Sequence, residues 1–301
     1  MIKRIWIYLK EMHPPLSRLF VSLILFLELY FIVMFNSGVM KFSLGIQEVI
    51  GILTIFSFLL LLRVADDFKD YEIDQTLSPQ DKRPLPSGRV KKTDLIVLLA
   101  VVEIPIIIAN LVFMNNVPFF LFLYIYGFLM SMWFFQKAKI QKNLVLACIT
   151  HNPIQMIINV YIISFVCIKY GIAWASLTVI MAAFTMYFPG LIWEVARKIR
   201  APKEENNYVT YSKIFGYKKA TIFITVLMAL DVITNFILVW NLNKIAIVIL
   251  ALNLLWMIID IMRFIKNPNK FTIISKVLRY TYIQEFIMLA TVFMFMLIGK
   301  I

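Results

Sequence analysis

Cysteine, histidine and acidic side chains are scarce in this chain: two, two and seventeen among 301 residues. Cys148 and Cys167 lie in apolar segments and support no disulfide framework. His13 and His151 are too few for a zinc-type cluster, which excludes the common transition-metal chemistries. Charge of either sign is also sparse, at 16% of residues against about 25% in an ordinary soluble domain. With 61% of residues hydrophobic, a membrane protein is the class that remains. No cleavable signal peptide is expected, because "MIKRIWIYLKEMHPPLSR" is too charged and lacks a small-residue cleavage site. In that stretch Ile2, Ile5, Trp6 and Leu9 share one helical face, which predicts an amphipathic helix on the membrane surface over 1–16.

What the chain has instead is apolar length. Nine stretches are long enough to span, at 17–37, 43–65, 95–114, 117–136, 144–168, 174–194, 220–240, 245–262 and 282–299. A span takes ~20 apolar residues. In lipid the backbone must bond to itself, so each is a helix. The expected fold is an all-α membrane protein of nine transmembrane helices in a single domain, 1–301. The loops on one side hold 26 of the 30 Lys and Arg; only Lys41, Lys169, Lys244 and Lys300 fall on the other. Basic loops mark the cytoplasmic side, so the N-terminus is expected inside. The net charge of +13 then reflects orientation and attraction to anionic headgroups rather than nucleic acid.

Two long polar loops stand out, 66–94 and 194–219. They carry ten of the seventeen acids, including Asp81, Asp94, Glu204 and Glu205. Four spans separate them, a spacing that hints at a duplicated four-helix unit with the ninth span appended. In the first loop Asp66, Asp67, Asp70, Glu72 and Asp74 crowd into nine positions directly after "GILTIFSFLLLL". If the second helix runs on to about residue 75, Asp67, Asp70 and Asp74 share one face. Three carboxylates on one face repel unless a cation lies between them, and hard oxygen donors in that number suit Mg²⁺. The alternative is a solvated helix end whose acids pair with Lys69, Lys82 and Arg83.

"DDFKDYEID" (66–74) resembles the first acidic motif of the UbiA superfamily of intramembrane prenyltransferases, with Asp66 in place of the usual Asn. "KRPLPSGRV" (82–90) is similar to a second segment common in that superfamily. The resemblance implies nine helices around a central cavity opening to the cytoplasm and laterally to lipid. It also implies Mg²⁺ held by the acidic motifs and a prenyl diphosphate bound to it. A carbocation formed from that diphosphate needs a dry aromatic cavity. Tyr124, Tyr126, Trp133, Phe184, Tyr187, Phe188 and Trp193 are candidates to line it, with Tyr124 and Tyr187 as substrate contacts.

The second loop, "WEVARKIRAPKEENNYVTYSKIFG" (193–216), matches in part. Glu194 resembles the first acid of the family's second motif, and a metal-site role is implied for it. The middle acid is missing, with Arg197 and Lys198 in its neighbourhood. Arg197, Lys198, Lys213 and Arg63 are candidates to bind diphosphate oxygens directly. Within or close to the spans lie six acids, Glu28, Glu48, Glu103, Asp231, Asp260 and Glu285, and such residues usually face the bundle interior. Asp231 and Asn235, one turn apart, are candidate substrate contacts. His151, before Asn152 and Pro153, is the candidate general base.

The function expected is Mg²⁺-dependent transfer of a prenyl group from its diphosphate to a lipophilic acceptor, an aromatic ring or another nucleophile. The alternative within the superfamily is a terpene synthase that cyclises the diphosphate without an acceptor. A transporter is disfavoured because the acid cluster sits at a helix end rather than at mid-membrane, where transport sites lie.

Overall fold

The computed structural model describes residues 1–76, 83–205 and 209–299, and its regular elements are all helices. Asp81, Lys82 and Lys300 lie outside the described residues. In chain order the helices are α1 (Ile2–Met12), α2 (Pro15–Asn36), α3 (Ile46–Lys69), α4 (Tyr71–Asp74), α5 (Lys92–Phe113) and α6 (Val117–Ser131). There follow α7 (Lys137–Ile140), α8 (Leu144–His151), α9 (Pro153–Tyr170), α10 (Leu177–Thr185), α11 (Tyr187–Ala196) and α12 (Tyr211–Phe215). The last three are α13 (Tyr217–Val239), α14 (Lys244–Lys266) and α15 (Ile274–Ile298).

Among the described residues, eight segments are long and apolar enough to cross a bilayer. Two of these are broken in the middle: α8–α9 at Asn152, before Pro153, and α10–α11 at Met186. Each break has a proline just beyond it. Pro153 opens α9, and Pro189 in the first turn of α11 has no N–H for the carbonyl four residues back. The segment expected to span over 117–136 forms a shorter helix, Val117–Ser131. It stops because Trp133, Phe134 and Phe135 all adopt left-handed backbone, with φ of 53°, 49° and 58°. That conformation costs an L-residue about 1–2 kcal/mol, and no right-handed helix continues through it.

The chain divides into two units, Met1–Leu27 with Lys41–Lys137, and Glu28–Met40 with Ala138–Ile301. The break after Lys137 falls between the fourth and fifth expected spans. In the first unit α3 packs against α5 and α6. The approach to α6 depends on Gly127, where a Cβ would sit 2.7 Å from the Phe58 ring. The surface helix α1 is docked in this unit as well. Tyr8 is buried with Leu60 and Val64 of α3, Leu85, Val90, and Leu95 of α5, while Ile2 and Trp6 remain outward. Arg4 clamps the helix with two hydrogen bonds to Asp94, at 2.6 and 2.8 Å. In the second unit Ile192, Ile224, Met228, Met257, Val277 and Tyr280 form the centre of a core shared by α11, α13, α14 and α15.

His13 caps the end of α1 and is buried, its ring edge-on to Phe56 at 5.2 Å. Its Nε2 has no partner among the described residues. Burial, then the charges of Arg18 and Arg63, pushes its pKa from 6.5 down to about 4. A depressed histidine contributes stability above its unfolded pKa and loses it as pH falls. Thermal stability should therefore drop between pH 6.5 and about 4, by at most about 1.4 kcal/mol per pH unit. His13→Gln should flatten that slope in melting curves recorded across the window; an unchanged slope would assign the pH dependence to other groups.

Candidate functional site

The acid-rich segment at the end of α3 lies wholly in the first unit. The helix does not run straight to residue 75. It ends at Lys69, Asp70 takes the bridge conformation (φ −91°, ψ 0°), and the single turn of α4 follows. Backbone bonds from Asp70 N to Asp66 O (2.9 Å) and from Asp74 N to Asp70 O (2.8 Å) carry the helical path across this bend. Asp67 and Asp74 consequently remain on related faces, and both are buried.

Asp67 is the centre of the arrangement, 1% exposed at the end of an apolar helix. Its Oδ2 accepts from the Tyr8 hydroxyl at 2.6 Å. Its Oδ1 accepts from Arg63 at 2.5 Å and from Arg83 Nη1 at 3.3 Å. The same Arg83 nitrogen donates to Asp74 Oδ2 at 3.1 Å. One guanidinium nitrogen thus lies against two carboxylates. Asp70 is half-buried; burial, then the neighbouring Asp74 carboxylate, shifts its carboxyl upward, opposed by Arg83 and Lys69. Asp66 points outward and pairs loosely with Lys69 at 3.8 Å, and Glu72 is exposed. Of the basic partners expected for a solvated helix end, Lys69 and Arg83 do pair with acids. Burial of Asp67 and Asp74 distinguishes this cluster from a solvated one.

The second acid-bearing segment, in the second unit, is built differently. Glu194 near the end of α11 holds Arg197 at 2.5 Å and Lys198 at 2.7 Å, one turn along. The Arg197 guanidinium also stacks over the Trp193 ring, 5.3 Å from its centroid. Glu205 accepts from the Thr210 and Ser212 hydroxyls, and Thr210 caps α12. Lys213 is exposed on that short helix.

The remaining expected site residues are scattered among other contacts. Tyr124 donates to Glu103 at 2.8 Å and packs on Phe58 and Phe120. Tyr187 is half-buried among Phe184 and Phe188. His151 ends α8 with Nδ1 close to Ala147 O (3.1 Å) and to the Thr150 hydroxyl (3.0 Å). Asp231 and Asn235 are fully buried and bonded to each other at 3.1 Å. Tyr280 and Gln284 also donate to Asp231, at 3.2 and 2.8 Å, and Thr185 donates to Asn235. Among the described residues, no three His, Cys, Asp or Glu side chains come together as a metal cluster.

Two participants were not singled out from sequence as site residues. Tyr8 reaches Asp67 across 59 positions, and its only signal is its place on a helix read as a surface anchor. Arg83 is offered by the sequence only as a counter-ion, at the second position of the resembling segment 82–90.

Comparison with known proteins bears on all of this. No curated protein matches the chain. A solved structure from work on digeranylgeranylglyceryl phosphate synthase in membranes is similar in fold, with a TM-score of 0.62, 17% identity and 98% of each chain covered. The model of the UbiA prenyltransferase family matches residues 32–283, which runs through both units. An all-helical membrane chain with this match over most of its length belongs to the UbiA prenyltransferase family.

Proposed function

We propose that this chain is a Mg²⁺-dependent intramembrane enzyme that ionises a prenyl diphosphate and transfers the prenyl group to a lipophilic acceptor. The observation that carries the proposal is the pair of buried carboxylates, Asp67 and Asp74, disposed about one cation. Mg²⁺ is usually held by one or two carboxylates and completes its shell with water and phosphate oxygens. A two-carboxylate site fits that habit, and the Arg83 nitrogen stands in for the ion. Bound there, Mg²⁺ supplies charge stabilisation to the departing diphosphate.

The chain's own residues divide the remaining work. Tyr8 and Arg63 hold Asp67 in one rotamer. Arg83, displaced from the acids, offers its fork of donors to diphosphate oxygens. Asp70 completes the acidic face. Glu194 is proposed as the acid of the second motif, with Arg197, Lys198 and Lys213 as diphosphate contacts. Tyr124 and Tyr187 are proposed to line the path of the prenyl chain. Asp231 and Asn235 are proposed to act on substrate through the network that holds them, and His151 to accept the final proton. The family match across both units supports one catalytic domain over 1–301, and the basic loops support a cytoplasmic N-terminus and cytoplasmic acidic loops.

A terpene synthase is the second reading. The observation favouring it is the second motif, which lacks its middle acid and whose Glu194 is already neutralised by Arg197 and Lys198. Diphosphate release from geranyl, farnesyl and geranylgeranyl diphosphates, with and without Mg²⁺ and a lipid extract, separates the two. Release that needs both metal and extract is expected; a cyclic hydrocarbon formed without extract would favour the synthase. Asp67→Asn is expected to lower kcat by at least about 100-fold. No release from any donor, or full activity in Asp67→Asn, would overturn the metal-site assignment.

Arg83→Ala tests the stand-in role. Without metal it should destabilise the protein by about 1 kcal/mol, a charged hydrogen bond discounted for the partial exposure of Arg83. Mg²⁺ should then raise the melting temperature more in the variant than in the parent. An equal Mg²⁺ shift in both proteins would show that Arg83 and the metal do not compete.

A further inference from the structure

The helix α1 is weak as a helix. It has eleven residues, no side-chain cap at its N-terminus and no acid in its first turn, which carries Lys3 and Arg4 instead. Basic side chains there oppose the helix dipole. An isolated helix of this length is marginal in water, so the form of α1 depends on what it docks against.

Three polar anchors hold it, each on a different part of the first unit. Arg4 pairs with Asp94 at the start of α5. Glu11 accepts two hydrogen bonds from Arg89, at 2.6 and 3.0 Å. Tyr8 donates to Asp67 at the end of α3, at 2.6 Å. Ile5, Ile7, Leu9 and Met12 pack around these contacts. The anchors are unequal. Arg4, Arg89 and Glu11 reach solvent, so salt screens those two pairs. Tyr8 is fully buried; burial, then its bond to Asp67, pushes its phenol upward and keeps it a donor. At the C-terminal end of α1, His13 is buried against Phe56, and Pro14 and Pro15 stiffen the passage into α2. Release of α1 therefore pivots near His13 and withdraws Tyr8 from Asp67.

That withdrawal reaches the acidic site. Asp67 meets the Arg83 nitrogen with Oδ1, and Asp74 meets it with Oδ2. Tyr8 uses the other oxygen of Asp67, so the tyrosine does not compete with a cation at the place of that nitrogen. A hydrogen-bond partner that orients a ligating carboxylate is worth about 10–100-fold in metal affinity. Such coupling is reciprocal. If docked α1 raises the affinity for a cation, the bound cation favours docking by the same factor.

We infer that α1 is a latch on the acidic site. Tyr8 is a positioning residue for Asp67, a divalent cation at Asp67 and Asp74 favours the docked helix, and release of the helix lowers affinity for that cation. The inference rests on the metal-site assignment proposed above. Because two of the anchors are exposed ion pairs, whatever competes for Arg4 or Glu11 acts on the cation site without touching it.

Hydrogen exchange of the full chain in nanodiscs tests the latch, with peptides from 3–12 followed in MgCl₂ or in NaCl of equal ionic strength. Metal affinity is read separately, by Mg²⁺ competition against Mn²⁺ in electron paramagnetic resonance. Mg²⁺ should slow exchange in α1 about tenfold in the parent and leave it unchanged in Asp67→Asn. Tyr8→Phe should lower Mg²⁺ affinity about tenfold. Arg4→Gln, which contacts neither Asp67 nor Asp74, should lower it as well, and should add nothing in a Tyr8→Phe background, where the route through Asp67 is already cut. A merely structural helix would lower the melting temperature in these variants and leave Mg²⁺ affinity alone. Exchange in α1 that ignores bound Mg²⁺, or parental Mg²⁺ affinity in Arg4→Gln, would overturn the latch and spare the metal site. A parent protein that binds no divalent cation would overturn both.

Discussion

The rest of the first unit depends on one acidic side chain kept at the end of an apolar helix. Asp67 is buried, and burying such a group is costly unless it is paired and hydrogen-bonded. Three donors from three places in the chain meet that need: Tyr8 from α1, Arg63 one turn back on α3, and Arg83 from beyond α4. Each contact has an architectural consequence. Tyr8 requires α1 to lie against α3 and α5, which the Arg4–Asp94 pair reinforces. Arg83 requires residues 83–90 to lie at the helix end, where Leu85 and Val90 join the same apolar cluster. A charged centre and a hydrophobic cluster are thus built by the same residues.

The second unit solves the problem of buried acid differently. Asp231 lies in a span and takes three neutral donors, Tyr280, Gln284 and Asn235, instead of cations. Asp260 toward the end of α14 takes Arg279, which stacks on Trp256 at 3.7 Å. A cation thus pairs with Asp260 toward a helix end, where basic side chains reach water, while amides and a hydroxyl serve Asp231 farther inside; Glu28, buried in α2, has neither among the described residues. The distribution follows from the cost of placing a second charge in hydrocarbon.

Most of the architecture was legible because lipid is a strict solvent: the lengths of the apolar runs carry the spans directly. The break at Asn152 was legible from Pro153. The early end of α6 was not, because Trp133, Phe134 and Phe135 hold left-handed backbone with no glycine to announce it. At the site, the crowding of Asp67, Asp70 and Asp74 was readable from spacing alone. The bend at Asp70 was not, since its dihedrals stay close enough to helical that composition is silent. Tyr8 was invisible for a different reason. A hydroxyl meeting a carboxylate across 59 residues leaves no periodic trace, and the amphipathic pattern around it reads equally well as a membrane anchor.

The partnership between Tyr8 and Asp67 also has a consequence for biogenesis. A chain is made from its N-terminus, so Tyr8 and Arg63 have both left the ribosome before Asp67 follows them, while Arg83 comes sixteen residues later. When α3 partitions into the bilayer, its terminal carboxylate already has a hydroxyl and a guanidinium within the nascent chain. The helix can therefore enter lipid before the second acidic segment exists. A bulky extension fused ahead of α1 would act on this early step, by delaying the docking that shelters the acid during insertion.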